Sequence, residues 1–269
     1  MVDEDVKKIV REKYGMIAKT GGSCCGDFQP CFGSDVWEAM RKIGYSEEEL
    51  RGISMDAILG LGCGNPVVFA LLREGETVLD LGCGAGIDCF VAAKRVGASG
   101  RVIGVDMAPE MLEKARENAR RGGFGNVEFR LGEIESLPVE DCSVDVIISN
   151  CVINLSPYKE RVFREAFRVL KPGGRLVISD TVLLKELPEN VKRRVDAYIG
   201  CIAGALEKQE YLETIKKAGF QDVRVIMEAL FPVENVIRDL DLIREARESV
   251  ASITVWAVKP RQSVQQEAA

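Results

Sequence analysis

The sequence contains no histidine among its 269 residues. That absence removes the commonest general base, the commonest zinc ligand and every Ser-His or Cys-His nucleophile pairing. Long apolar runs are missing too. The stretch 145–152 is far too short to span a bilayer. The charged start MVDEDVKKIVREKYG has no signal-peptide character. No membrane partner and a cytoplasmic location are therefore expected. The net charge of −6 leaves no basic face for phosphate, which argues against a nucleic-acid partner. Cysteine, by contrast, is plentiful. Nine residues cannot all pair within one chain. In a reducing compartment, clustered cysteines point to metal binding or catalysis more than to staples. The 46% hydrophobic and 29% charged content is that of an ordinary globular protein, with length for one large domain plus an appendage.

Residues 3–19 and 35–53 read as helices. The cysteine-bearing loop Ser23-Cys24-Cys25-Gly26, followed by Cys31, lies between them. A second glycine-rich loop spans Gly60 to Pro66. From residue 76 strands and helices alternate. Strands are expected at 77–80, 101–106, 126–131, 144–149 and 175–179, with helices at 86–96, 109–122 and 158–170 and a turn at 171–174. Two more helices (189–203 and 208–218) precede strands near 222–229 and 251–258. This order predicts a doubly wound, mostly parallel seven-stranded α/β sheet. Four regions follow: N-terminal helices and cysteine loops (1–75), a nucleotide-binding core (76–188), site helices and final strands (189–260), and a polar, disordered tail (261–269).

The first strand runs into Leu81-Gly82-Cys83-Gly84-Ala85-Gly86 and then a helix. Alternate glycines bring backbone close to a ligand, and a helix N-terminus offers free N–H groups. Asp106 ends the next strand, 20 residues beyond Gly86, where an acid can bind both ribose hydroxyls. A nicotinamide fingerprint needs a third small residue where this chain has Ile87. The spacing instead resembles that of S-adenosylmethionine-dependent methyltransferases, as do Leu170 to Leu176 and the loop Gly132 to Pro138. The resemblance implies cofactor contacts from Asp80, Gly82, Cys83, Gly84, Gly86, Asp106, Met107, Glu133, Ile134 and Asn150. The loop Gly60-Leu61-Gly62-Cys63-Gly64 has the same rhythm but no preceding strand, so it is not assigned to the cofactor.

Ligands of this fold sit beyond the strands' carboxyl ends, where Cys151 falls. Cys201 belongs to the helical region that follows the core, and Cys63 to a loop expected to be mobile. Cys83 and Cys89 read as packing, and Cys142 as a surface residue. The strings Ser149-Asn150-Cys151-Val152-Ile153-Asn154-Leu155, Gly200-Cys201 with Gly204-Ala205-Leu206, and Gly62-Cys63-Gly64 together resemble the arsenite methyltransferase family. So does the 50-residue step from Cys151 to Cys201. The resemblance implies that Cys63, Cys151 and Cys201 bind As(III), with arsenite and methylarsenite as substrates. It also implies that Cys24, Cys25 or Cys31 exchanges disulfides with them, reset by thioredoxin or glutathione as external thiol reductant.

The chemistry suits these residues. Soft thiolates select soft, thiophilic centres. Three of them leave As(III) a lone pair, a nucleophile with no proton to lose and so no need of histidine. Cys151 and Cys201 are expected as the inner pair, with Cys63 the third ligand that only inorganic arsenite requires. Two alternatives compete. A quinone-precursor C-methyltransferase shares the glycine loop but leaves the three cysteines unexplained. A non-catalytic arsenic- or zinc-binding protein lacks the short paired cysteine spacing usual for structural zinc.

Overall fold

The structure, a computed structural model, describes residues 3–20, 36–187, 189–192, 195–233, 243 and 246–261. The expected strands form as β1 (Thr77–Leu81), β2 (Arg101–Asp106), β3 (Val127–Leu131), β4 (Val144–Asn150), β5 (Leu170–Leu183), β6 (Gln221–Leu230) and β7 (Val250–Val258). They make one sheet in the order β3-β2-β1-β4-β5-β7-β6. β1, β2, β3, β4 and β5 are parallel, and β7 runs antiparallel between β5 and β6. The order reverses at β1, whose neighbours are β2 and β4. Ligands of open α/β sheets lie at that switch point, beyond the carboxyl ends of the strands.

Central strands are apolar because both faces are covered. In β4, Val144, Val146, Ile147 and Ile148 are fully buried. One face packs α5 (Ile87–Val96) and α6 (Pro109–Gly122), with Phe90 stacked on Phe124 at 4.5 Å. The amphipathic α6 turns Met111, Leu112, Ala115 and Ala119 inward. The other face packs α7 (Lys159–Val169) and α10 (Lys208–Lys217), joined by an edge-to-face contact of Phe163 and Tyr211 at 5.6 Å. The N-terminal α1 (Asp3–Thr20) lies against α6 and borders the cleft above the sheet. Among the described residues no helix is long and apolar enough to cross a membrane.

Three local expectations change. The helix expected over 35–53 breaks at Gly44, whose φ of +98° ends α2 (Val36–Lys42). Ser46 then opens α3 (Glu47–Leu50) with a capping box closed by Glu49. The helix expected over 189–203 ends early: its described parts are α8 (Glu189–Lys192) and α9 (Val195–Ile199), and Cys201 sits in the turn beyond Ile199. The turn 171–174 is looped out of one long strand: Leu170 pairs with Val144, and Arg175 already pairs with Val146.

Arg175 anchors the segment that carries Cys63. Its guanidinium grips the Glu76 carboxylate with two bonds of 2.8 and 2.7 Å and donates to the carbonyls of Ala70 and Leu71. The pair is 12% and 15% exposed. These bonds hold the short α4 (Pro66–Phe69) against the sheet. Arg175→Met is expected to destabilise the protein by about 2–3 kcal/mol, because Glu76 and two carbonyls lose their donor. Urea unfolding measures this. A loss under about 0.5 kcal/mol would mark the pair as an ordinary surface contact.

Candidate functional site

A cleft opens at the carboxyl ends of β1, β2 and β4. Its floor is the glycine turn. Gly82, Gly84 and Gly86 have φ of +68°, +52° and +96°. A Cβ at Gly82 would strike Val152 at 2.4 Å, whereas no atom lies within 4 Å of one at Gly84. The turn is thus tight on its protein side and open towards the cleft. Asp106 braces it, accepting from the N–H groups of Gly84 and Ala108 at 2.9 Å each. Asp80, Asp88 and Asp106 all border the cleft, which favours a cationic occupant. Met107, Ala108 and Ile134 add an apolar wall.

Of the residues expected at the cofactor, Asp80, Gly82, Cys83, Gly84, Asp106, Met107, Ile134 and Asn150 line the cleft, and Gly86 and Glu133 do not. Cys83 lines the cleft, but its thiol turns towards Cys89 and Gly104, and burial pushes it up to about 11. Cys89 donates to Asp80 at 3.2 Å. Glu133 faces a neighbouring hollow with Arg11 and Met107, and pairs with Lys7 of α1 at 2.5 Å. The side chain of Asn150 is turned to the protein. Its Nδ2 bonds Gly64 O at 2.7 Å and reaches Asp88 and the Tyr45 hydroxyl, both at 3.2 Å.

Three segments bring cysteines to the far side of this cleft. Cys63, expected on a mobile loop, is instead buried and pinned. Its N–H donates to Asn150 Oδ1 at 3.1 Å, and its carbonyl accepts from Ser252 at 2.6 Å. Cys151 follows β4 directly, its N–H donating to Ser179 O at 2.8 Å. The Cys201 thiol donates to Cys151 O at 3.0 Å. Cys151 and Cys201 both adopt left-handed backbone, with φ of +58° and +61°. That conformation costs a non-glycine residue about 1–2 kcal/mol and aims both side chains out of their turns. Neighbouring Cys201 and Cys63 thiols, together with burial, hold the Cys151 thiol well above its usual range. Cys24, Cys25 and Cys31 lie outside the described residues, as does the tail from 262.

A fourth group was absent from the sequence reading. The donor atoms of Cys63, Cys151 and Asp180 all lie within 4.8 Å of one another. Asp180 is fully buried on β5, and burial pushes its carboxyl up to about 7. It accepts from Asn154 Nδ2, from the Thr181 N–H and from the Tyr211 hydroxyl. In the sequence it is one acid inside the apolar string Val177-Ile178-Ser179-Asp180-Thr181-Val182. An acid amid a buried strand was the available signal.

Residues 72–219 match the methyltransferase domain family. An arsenite methyltransferase of Halobacterium salinarum is 47% identical over 266 residues, covering 96% of this chain and 67% of its own. The chain belongs to the arsenite methyltransferase family. The mouse arsenite methyltransferase is 35% identical over 242 residues, covering 86% of this chain and 62% of its own. The crystal structure of an arsenic(III) S-adenosylmethionine methyltransferase from Chlamydomonas reinhardtii is 36% identical with a TM-score of 0.65. It covers 84% of this chain and 74% of that one. The chain thus spans about two thirds of the length of the curated family members it matches. The family's fold, a Rossmann-like methyltransferase core, is the one described above.

The buried acids carry a pH signature. Asp88 is 4% exposed, and burial pushes it up to about 6 from an ordinary 3.8. A carboxyl that binds its proton more tightly when folded stabilises the folded state at low pH. Stability is therefore expected to fall as pH rises from about 4 to about 6. Asp88→Asn is expected to flatten that slope in urea titrations across the window. An unchanged slope would assign the effect to other groups.

Proposed function

We propose that this chain transfers methyl groups from S-adenosylmethionine to thiolate-bound trivalent arsenic. The observation that carries the reading is the convergence of Cys63, Cys151 and Cys201 beside the cleft above the glycine turn. The residues fit the methyl donor. Gly84 offers open backbone, Asp106 an acid at the end of β2, Met107 and Ile134 an apolar wall, and Asp80 and Asp88 two further carboxyls. When bound, the donor supplies an electrophilic methyl carbon on a cationic sulfonium, which the arsenic lone pair accepts without loss of a proton.

The protein's own contribution is capture and aim. The Cys151 thiol, held well above its usual range, stays protonated at neutral pH. Arsenite carries hydroxyl groups, and each thiol proton leaves with one of them as water while an As–S bond forms. No separate base is required, in keeping with a chain without histidine. Cys151 and Cys201 form the inner pair that retains methylated arsenic, and Cys63 is the third ligand of inorganic arsenite. Methyl transfer leaves arsenic oxidised. Closure of two cysteines to a disulfide returns it to the trivalent state, and Cys24, Cys25 or Cys31 passes that disulfide to thioredoxin or glutathione.

Incubation with arsenite, S-adenosylmethionine and a thiol, followed by arsenic speciation, tests the reading. Methylated arsenic is expected from the folded, reduced protein, and none from a quinone-precursor control. Its absence would overturn the assignment. Cys151→Ser and Cys201→Ser are each expected to lower turnover by ~100-fold or more on arsenite and methylarsenite alike. Cys63→Ser is expected to lose arsenite methylation but keep methylarsenite turnover within about tenfold of wild type. Equal loss on both substrates would refute the separate role of Cys63.

A further inference from the structure

The cysteine cluster contains one group that thiol chemistry does not call for. Pyramidal trivalent arsenic is satisfied by three sulfurs, yet the set within 4.8 Å is two sulfurs and one carboxylate: Cys63, Cys151 and Asp180. Burying a carboxyl there is costly, and the fold builds a frame to hold it. Oδ1 takes two donors, Asn154 Nδ2 at 3.0 Å and the Thr181 N–H at 2.9 Å, which fill its lone pairs. Oδ2 takes the Tyr211 hydroxyl at 3.1 Å, and the Asn154 backbone N–H also favours the ionised carboxyl. This fully buried acid therefore has fewer close donors on Oδ2 than on Oδ1. Next to it, the buried Asn154 gives its Nδ2 to Asp180 and Thr181, and its own Oδ1 has no donor. The surroundings are short of hydrogen-bond donors, so a hydroxyl-bearing ligand is the complement they lack.

We propose that Asp180 is a substrate-positioning residue that accepts the hydroxyl of arsenic held by Cys63 and Cys151. The inference rests on the arsenic reading above and makes the order of capture specific. Arsenite first exchanges two hydroxyls for the sulfurs of Cys63 and Cys151, releasing two waters. The remaining As–OH donates to Asp180. Cys201, whose thiol already lies against the Cys151 carbonyl, then displaces that hydroxyl. One S–H and one As–O bond break, one As–S and one O–H bond form, and a third water leaves with no change of oxidation state. Methylarsenite on two thiolates carries a methyl group instead of the hydroxyl and makes no such bond, so Asp180 favours the inorganic substrate.

The test compares the two substrates. In Asp180→Asn, the ratio of kcat/KM for arsenite to that for methylarsenite is expected to fall about tenfold, as for loss of one buried hydrogen bond. A binding readout needs no methyl donor. Cys201→Ser retains arsenite through Cys63 and Cys151, and adding Asp180→Asn is expected to weaken arsenite binding about tenfold but methylarsenite binding much less. Should Asp180→Asn not accumulate as folded protein, Tyr211→Phe, which leaves Oδ2 more open to the arsenic hydroxyl, is expected to shift the ratio the opposite way, towards arsenite. An unchanged ratio, or equal loss on both substrates, would overturn the role of Asp180 alone. Wild-type protein that binds and methylates neither arsenical would overturn the underlying reading.

Discussion

The side-chain amide of Asn150 joins two halves of the site that the chain keeps far apart. On one side it takes the Cys63 N–H and the Gly64 carbonyl, and on the other Asp88 at the start of α5. Without that bridge the glycine loop of residues 60–64 has little reason to lie on the end of β4. The loop closes so tightly that a Cβ at Gly62 would come within 3.1 Å of three Asn150 atoms. Cys151 follows Asn150 in sequence, so one short strand end sets Cys63, Cys151 and the edge of the cleft together. The usual division of this fold into a cofactor half and a substrate half is blurred at a single residue.

The electrostatics match a cationic donor and a neutral, hydroxylated acceptor. Asp80, Asp88 and Asp106 crowd the donor side, and burial raises all three carboxyls. On the acceptor side the thiols are buried and Lys159 is the cation near Asp180, with burial pulling its ammonium down. A neutral arsenic hydroxide enters such a pocket without bringing net charge into low dielectric. The absence of histidine is then a matter of economy, since the exchange of hydroxyl for sulfur disposes of its own protons.

Much of this was legible in the sequence, for reasons of range. The turn Gly82 to Gly86, Asp106 and the position of Cys151 are set by a strand, a turn and a helix that follow one another directly. The helix thought to fill 35–53 failed because Gly44 demands left-handed backbone, and propensity alone does not place that break. The loop around Cys63 looked loose because its partners, Asn150 and Ser252, are 87 and 189 residues away. Asp180 was passed over because the expected strand stopped at residue 179, one short of it, whereas β5 runs on to Leu183. The left-handed conformations of Cys151 and Cys201 leave only a faint local mark, a preceding Asn150 and Gly200.

Those two conformations bear on how such a site is inherited. A thiol on a left-handed turn owes its direction to the main chain as much as to its rotamer. Copying cysteines onto the equivalent positions of another methyltransferase scaffold would supply the sulfurs but aim them elsewhere. The ligand set travels only with its turns, and the turns only with the bonds from Ser179 and Thr181 that hold them. Arsenic chemistry on this scaffold is therefore a property of backbone shape, and a gain of cysteine alone is an insufficient route to it.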